Sequence, residues 1–342
     1  MRHLIFIYFF ISFNSFAINL GEEGPLYSDF SKGHTLYLHE IGVDSNSLGK
    51  NTVHSEYYNF YKHNNAKIGI FDAGYYFEHE DLKNILTRGT NRKHYHGTLV
   101  AGIIAAESGN KKGYRGIVKP KYIYGLQYYD KGSNDNQVRN YIKALCKYFD
   151  VFNISLDIAN TSYKQKGKNY NELAHIKRMG FWRSIFASPE CKNSLIIIAG
   201  GNSDVDAKKG SGGIHYTLSN NLIEFSPLEN LIVVGSNQGT KITQNYGESI
   251  DIYAPERLSG PYNVENGKSR YTKYQSGSSY AAPQVTATAA LIMKATITMK
   301  PKIIKNYILN KASLATLTDP LGFSRPVLNT YKIIKKVDND FQ

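Results

Sequence analysis

Three short runs in this chain, VFNISL (151–156), SLIIIAG (194–200) and NLIVVGS (230–236), are rich in β-branched and other apolar residues, and the last two lack polar alternation. A strand with one wet face alternates apolar and polar residues, whereas an unbroken apolar run needs cover on both faces. That requirement points to a parallel sheet enclosed by helices. KIGIFD (67–72) and KYIYGLQ (121–127) read as further strands. Helical patterns fall between and after them. HGTLVAGIIAAE (96–107) places Leu99, Ile103 and Ala106 on one stripe, and Val138, Ile142 and Leu145 repeat at i, i+4, i+7. SSYAAPQVTATAALIMKA (278–295) and KPKIIKNYILNKA (300–312) also read as helices. The alternation predicts an α/β fold of three layers, a mostly parallel central sheet with helices on both faces.

The ends of the chain differ from this core. Met1, Arg2 and His3 precede the apolar run LIFIYFFISF (4–13), and Ser15 and Ala17 occupy the small positions that a signal peptidase reads. Residues 1–17 are therefore expected to be a secretory signal, with Ile18 as the mature start. The alternative is an uncleaved anchor, although the run is shorter than the ~20 residues that a span needs. Lys294 interrupts the longest later candidate (285–299), so no membrane association is expected after signal cleavage. The protein is expected to be exported, to the periplasm or the extracellular space, and to be a monomer. Residues 18–65 are polar, Gly/Asn/Tyr-rich and weakly periodic, and read as an N-terminal arm or reduced pro-segment. The domain is expected over 66–335, with a tail at 336–342. Residues 161–181 are basic and polar, as in a surface insertion.

Composition excludes several classes. With 42% apolar and 20% charged residues, the chain is not mostly disordered. Two cysteines exclude a disulfide-dense scaffold and a four-thiolate zinc site. The net charge of +13 is spread over dispersed Lys and Arg, so no nucleic-acid partner is expected. No G-x-G-x-x-G follows the first strand, which argues against a dinucleotide enzyme. His94 and His96 lack carboxylate and His partners at ligand spacing, so no metal site is expected there.

Asp72 ends a strand and precedes Ala73-Gly74, at the sheet edge where α/β proteins collect ligands. His96 opens a helix, and Ser279 lies in Gly277-Ser278-Ser279-Tyr280-Ala281-Ala282-Pro283 at the start of another. Taken singly, these are a turn residue, a structural His and an N-cap. Together they are the carboxylate, base and nucleophile of acyl transfer. Their chain order, Asp72, His96, Ser279, is the subtilisin order. FDAGYYFEHEDL (71–82), HGTLVAGIIAA (96–106) and SGSSYAAPQVTATAALI (276–292) resemble the Asp, His and Ser segments of the subtilisin-like serine proteases. The resemblance runs over roughly 66–313 and implies the subtilisin-like three-layer fold.

The resemblance also implies roles for other residues. IIIAGGN (196–202) is similar to the family strand that ends in the oxyanion-hole Asn, here Asn202. NISLD (153–157), with Ser155, Leu156 and Asp157, resembles one wall of the pocket for the residue before the scissile bond. Gly200 and Gly201 stand for the other wall. KGSNDN (131–136), with Gly132 and Ser133, resembles the edge that pairs with extended peptide. Ala73, Leu99 and Asp157 depart from the family pattern. At the pocket rim Asp157 would favour a basic substrate side chain; otherwise it is an outward polar loop residue, the expectation preferred here. Calcium is common in the family, yet the loop ESGNKKGYRG (107–116) carries Lys111, Lys112 and Arg115, a poor setting for a calcium site, so no cofactor is expected. In this fold the strands at 151–156 and 194–200 are neighbours. Cys146 and Cys191 are then candidates for a disulfide, with two buried thiols as the open alternative. The implied function is an exported serine endopeptidase acting on polypeptides, with a catalytically silent peptide-binding scaffold as the alternative.

Overall fold

The computed structural model describes residues 64–107, 114–127, 134–158, 170–220, 222–256, 258–296, 300–310 and 314–341, with positions 41, 43, 53 and 57. The expected signal at 1–17, Gly132, Ser133, and residues 108–113 of the loop that bears on calcium lie outside these residues. The first half of the chain runs β1 (Ile68–Asp72), β2 (Leu86–Gly89), α1 (Tyr95–Ala105), β3 (Ile123–Gln127), α2 (Asp135–Tyr148), β4 (Val151–Ile154), α3 (Glu172–Phe186) and β5 (Leu195–Ala199). There follow β6 (Tyr216–Ser219), β7 (Leu222–Phe225), β8 (Leu231–Gln238), β9 (Lys241–Ile242), β10 (Ile252–Pro255), β11 (Leu258–Glu265) and β12 (Lys268–Gln275). The C-terminal part holds α4 (Ser278–Thr296), α5 (Pro301–Ile308), β13 (Thr316–Thr318), β14 (Ser324–Pro326) and α6 (Thr330–Phe341).

The main sheet has the order β10-β8-β5-β4-β1-β3-β2, and every adjacent pair in it is parallel. Among the described residues, β9 alone joins it antiparallel, on β8. The apolar runs divide with period two between the faces. Leu195, Ile197 and Ala199 of β5, with Ile232 and Val234 of β8, join a core shared with α1, α4, α5 and α6. Ile196, Ile198, Leu231 and Val233 point the other way, to α2 and α3. Each such side chain, when fully buried, contributes ~1.5–3 kcal/mol of transfer free energy. An unbroken apolar run is thus two interleaved core faces in one strand.

Two expected boundaries shift. Ile41, Val43 and Val53 are fully buried in the core of α4 and α6, and Tyr331 N donates to the Ile41 carbonyl at 3.3 Å. Asn64 Nδ2 donates to the Ala290 carbonyl of α4 at 2.6 Å. These parts of the 18–65 segment belong to the domain's packing, and periodicity missed them because the buried residues are isolated among polar ones. The boundary at 335 falls inside α6, whose Val337 is fully buried.

Candidate active site

Strand β1 has β3 on one side and β4 on the other, and the helices α1 and α2 pack on opposite faces. Connections leaving in opposite directions open a crevice at the carboxyl ends of the strands. Asp72, the last residue of β1, is fully buried there. Its Oδ1 accepts from the Ala73 N–H at 2.6 Å. The departure at Ala73 therefore leaves this backbone bond intact.

Helix α1 brings His96 to that carboxylate. His94 is the N-cap and its Nδ1 accepts from the His96 N–H at 3.1 Å, so His94 starts the helix. Gly97 allows the close approach: a Cβ there would stand 2.4 Å from the Gly74 carbonyl oxygen and 3.0 Å from Asp72 Cβ. His96 Nδ1 then lies 2.8 Å from Asp72 Oδ1 and 3.0 Å from Oδ2. A carboxylate only accepts, so Nδ1 carries the proton and the neutral ring keeps its lone pair on Nε2. Burial works against the imidazolium, but the Asp72 charge and hydrogen bond outweigh it and raise the His96 pKa above its ordinary value. Leu99, two residues further than Gly97, is fully buried in the core.

Ser279 sits in the first turn of α4, and its neighbour Tyr280 places its ring 5.3 Å from that of His96. The Ser279 hydroxyl donates to the Ser155 carbonyl at 3.0 Å, and no hydrogen bond joins it to His96. Pro283 is the sixth residue of α4. There its missing N–H leaves the Ser279 carbonyl without the usual i+4 donor. Ser155 Oγ fills the gap at 2.7 Å, and itself accepts from Asn153 Nδ2 at 2.8 Å. Thr286 Oγ1 donates to Asn153 Oδ1 at 3.0 Å. This buried chain ties the Ser279 turn to β4.

Asn202 follows β5 and is exposed. Its Oδ1 accepts from the Ser278 N–H at 2.8 Å. A backbone N–H can only donate, which fixes the amide's orientation and leaves the Nδ2 protons without a partner among the described residues. Ser278 Oγ lies 2.9 Å from the same oxygen and accepts from the Gly201 N–H at 3.1 Å. The Ser279 N–H, in the first turn of α4, is also among the donors that a helix cannot satisfy internally. Asn202 and Ser279 thus both carry donors and line the same cleft. Ser278 was not singled out by sequence, although it stands inside the quoted Ser279 motif.

A cleft of about 370 Å³ opens beside them, with Leu156, Asp157, Gly201, Asn202 and Ser279 in its lining. Asp157 is exposed and lines the cleft, which places it at the rim rather than away from it. Ser155 and Gly200, expected as pocket walls, are buried behind the lining: Gly200 N donates to the Val234 carbonyl at 2.8 Å, continuing the sheet. Away from the cleft, Cys146 and Cys191 are joined by a disulfide with Cα atoms 4.7 Å apart. Among the described residues no three His, Cys, Asp or Glu side chains cluster as a metal site would require. None of the described helices is long and apolar enough to cross a membrane.

The family model described as the subtilase family matches residues 44–332. A thermophilic serine proteinase of Bacillus sp. (strain AK1) is 26% identical over 242 residues, covering 66% of this chain and 51% of that protein. A subtilisin-like protease 2 of Arthroderma otae is 28% identical over 228 residues, covering 63% of this chain and 45% of its own length. The chain thus spans about half the length of these curated relatives. Among solved structures, a protease from Pseudoalteromonas arctica PAMC 21717 superimposes with a TM-score of 0.62 at 17% identity, over 87% of this chain and 97% of its own. The epidermin leader peptide processing serine protease of Staphylococcus aureus gives a TM-score of 0.57 at 21% identity, over 92% and 81%. At these identities the structures bear on the fold, which they share with this chain.

Proposed function

The chain belongs to the subtilase family, and on that premise we propose that it is an exported serine endopeptidase whose Asp72, His96 and Ser279 cleave polypeptides through an acyl-enzyme. The observation that carries the reading is the hydrogen bond between buried Asp72 and His96 Nδ1, which leaves Nε2 as a base.

In the first step, rotation about the Ser279 Cα–Cβ bond releases the hydroxyl from the Ser155 carbonyl and turns it to His96 Nε2. The base takes the proton as Oγ bonds to the peptide carbonyl carbon. The carbonyl oxygen becomes an oxyanion and accepts from Asn202 Nδ2 and the Ser279 N–H. Collapse breaks the C–N bond, and His96 returns its proton to the leaving amine. Water then attacks the ester with His96 as base, and the same steps in reverse free Ser279. Asp72 keeps the imidazole in its tautomer and favours the imidazolium while it lasts.

One observation favours the competing reading of a peptide-binding scaffold: the Ser279 hydroxyl bonds Ser155, not His96. Resting enzymes often hold catalytic hydrogen bonds in loose or alternative geometry. A pre-steady-state experiment with a chromogenic peptide ester decides between them. The endopeptidase gives a burst approaching one equivalent of chromophore per Ser279, abolished by Ser279→Ala. Peptide binding with neither burst nor turnover overturns the proposal.

A further inference from the structure

The turn that carries Asn202 is built around a side chain from elsewhere in the chain. Asn245 lies in the segment between β9 and β10 and is 2% exposed. Its Nδ2 donates to the Gly200 carbonyl at 3.0 Å. Its Oδ1 accepts from the Ser203 N–H at 2.8 Å and from the Val205 N–H at 3.4 Å. The Asn245 backbone N–H reaches the Gly201 carbonyl at 3.5 Å. One carboxamide thereby satisfies backbone groups on both sides of Asn202.

The turn needs such a partner. Gly201 has φ +110° and Asp204 has φ +53°, so the chain leaves β5 through two left-handed positions and forms no regular ladder there. Its buried amides would otherwise be left unpaired. Contact is close enough that a Cβ on Gly201 would stand 2.4 Å from Asn245 Nδ2. Residues 245 and 246 continue the attachment: Tyr246 N donates to the Val205 carbonyl at 3.1 Å, and Ala207 N to the Tyr246 carbonyl at 2.7 Å. On the far side, among the described residues, Asn202 itself is held through Ser278. The position of its Nδ2 therefore depends on two anchors, Ser278 beside the nucleophile and Asn245 beneath the turn.

We propose that Asn245 is a positioning residue for the oxyanion donor: it sets where Asn202 Nδ2 stands when charge develops on the substrate carbonyl, and it touches no reacting atom. The proposal rests on the reading of Asn202 as that donor. A displacement of about 1 Å in a preorganised group costs up to ~10²-fold in rate, and loss of such a donor outright costs ~10²–10³. Asn245→Ala should therefore lower kcat by about 10- to 100-fold with a much smaller change in KM.

A double-mutant cycle on the full chain separates positioning from a merely structural role. The kcat and KM of wild type, Asn245→Ala, Asn202→Ala and the double variant are measured with one peptide substrate. If Asn245 acts through Asn202, its replacement in the Asn202→Ala background changes kcat by no more than about three-fold. Equal losses in both backgrounds, or an unchanged kcat in Asn245→Ala alone, overturn the proposal. An Asn202→Ala variant with wild-type kcat overturns instead the oxyanion reading beneath it, and does so without reference to Asn245. Asn245→Asp provides the same cycle if the alanine variant does not fold: it keeps an acceptor for Ser203 and Val205 but sets a carboxylate oxygen against the Gly200 carbonyl.

Discussion

His96 Nδ1 meets both carboxylate oxygens of Asp72, at 2.8 and 3.0 Å, at the point where the central sheet changes direction. This pair makes a pH prediction with a definite sign. In the proposed mechanism His96 works as a base only when neutral, and its pKa is raised despite burial because Asp72 favours the imidazolium. Activity is thus lost as pH falls through a value above the ordinary imidazole pKa of about 6.5. In Asp72→Asn the favourable charge is gone while burial remains, so the acidic limb of kcat/KM moves to lower pH. The rate itself should drop by ~10⁴, because an amide can hold the wrong tautomer. A pH–rate profile of both proteins checks the shift; coincident acidic limbs contradict it.

A second His–Asp pair serves stability. His215, fully buried, places Nε2 2.9 Å from Asp251 Oδ2, which also accepts from the Val233 N–H at 2.8 Å. Lys305 Nζ lies 3.7 Å from the other oxygen, Oδ1. Burial pushes the carboxyl up, but Lys305 and His215 more than offset it and hold the pKa at about 2. A depressed folded-state pKa gives stability that is present above the unfolded value near 3.9 and is lost as pH falls toward 2. By linkage this shift corresponds to about 3 kcal/mol. Acid unfolding followed between pH 5 and 2 should be less steep in Asp251→Asn than in wild type.

The Cys146–Cys191 bridge closes a loop over a sequence separation of 45. By loop-closure entropy it should stabilise the fold by about 4 kcal/mol. Replacing both cysteines by serine is expected to lower the denaturation midpoint accordingly. Thiol titration under denaturing conditions should find no free sulfhydryl in the oxidised wild type.

Ile41, Val43 and Val53 are buried with α4 and α6, so the segment that contains them should remain in the mature enzyme. N-terminal sequencing of wild type and Ser279→Ala is expected to place every processed terminus before Ile41. An active species that begins after Val53 would contradict this.

Much of this was legible in the sequence. The strands β5 and β8 announced themselves because burial on two faces leaves no polar alternation, whereas β4 carries the buried Asn153. The quoted words around Asp72, His96 and Ser279 combine helix starts and tight turns, whose small residues the packing explains at Gly97. Other features were hidden for physical reasons. Pro283 leaves the Ser279 carbonyl without a helical donor, and the Ser155 hydroxyl that takes its place comes from a strand more than 120 residues earlier, which spacing does not show. Asn245 is a polar residue in a polar loop, and its bonds to Gly200, Ser203 and Val205 span some 40 residues of chain. Val53 and Ile41 lack a periodic neighbourhood, so burial could not be read from spacing.

The central claim is that Ser279 is a nucleophile activated by its surroundings. A serine-directed fluorophosphonate probe, applied to the folded protein and followed by mass spectrometry of the labelled peptide, tests it most directly. One label per chain is expected, on Ser279, absent in Ser279→Ala and strongly slowed in His96→Ala. A folded wild-type protein that stays unlabelled, or carries the label on another residue, would contradict it.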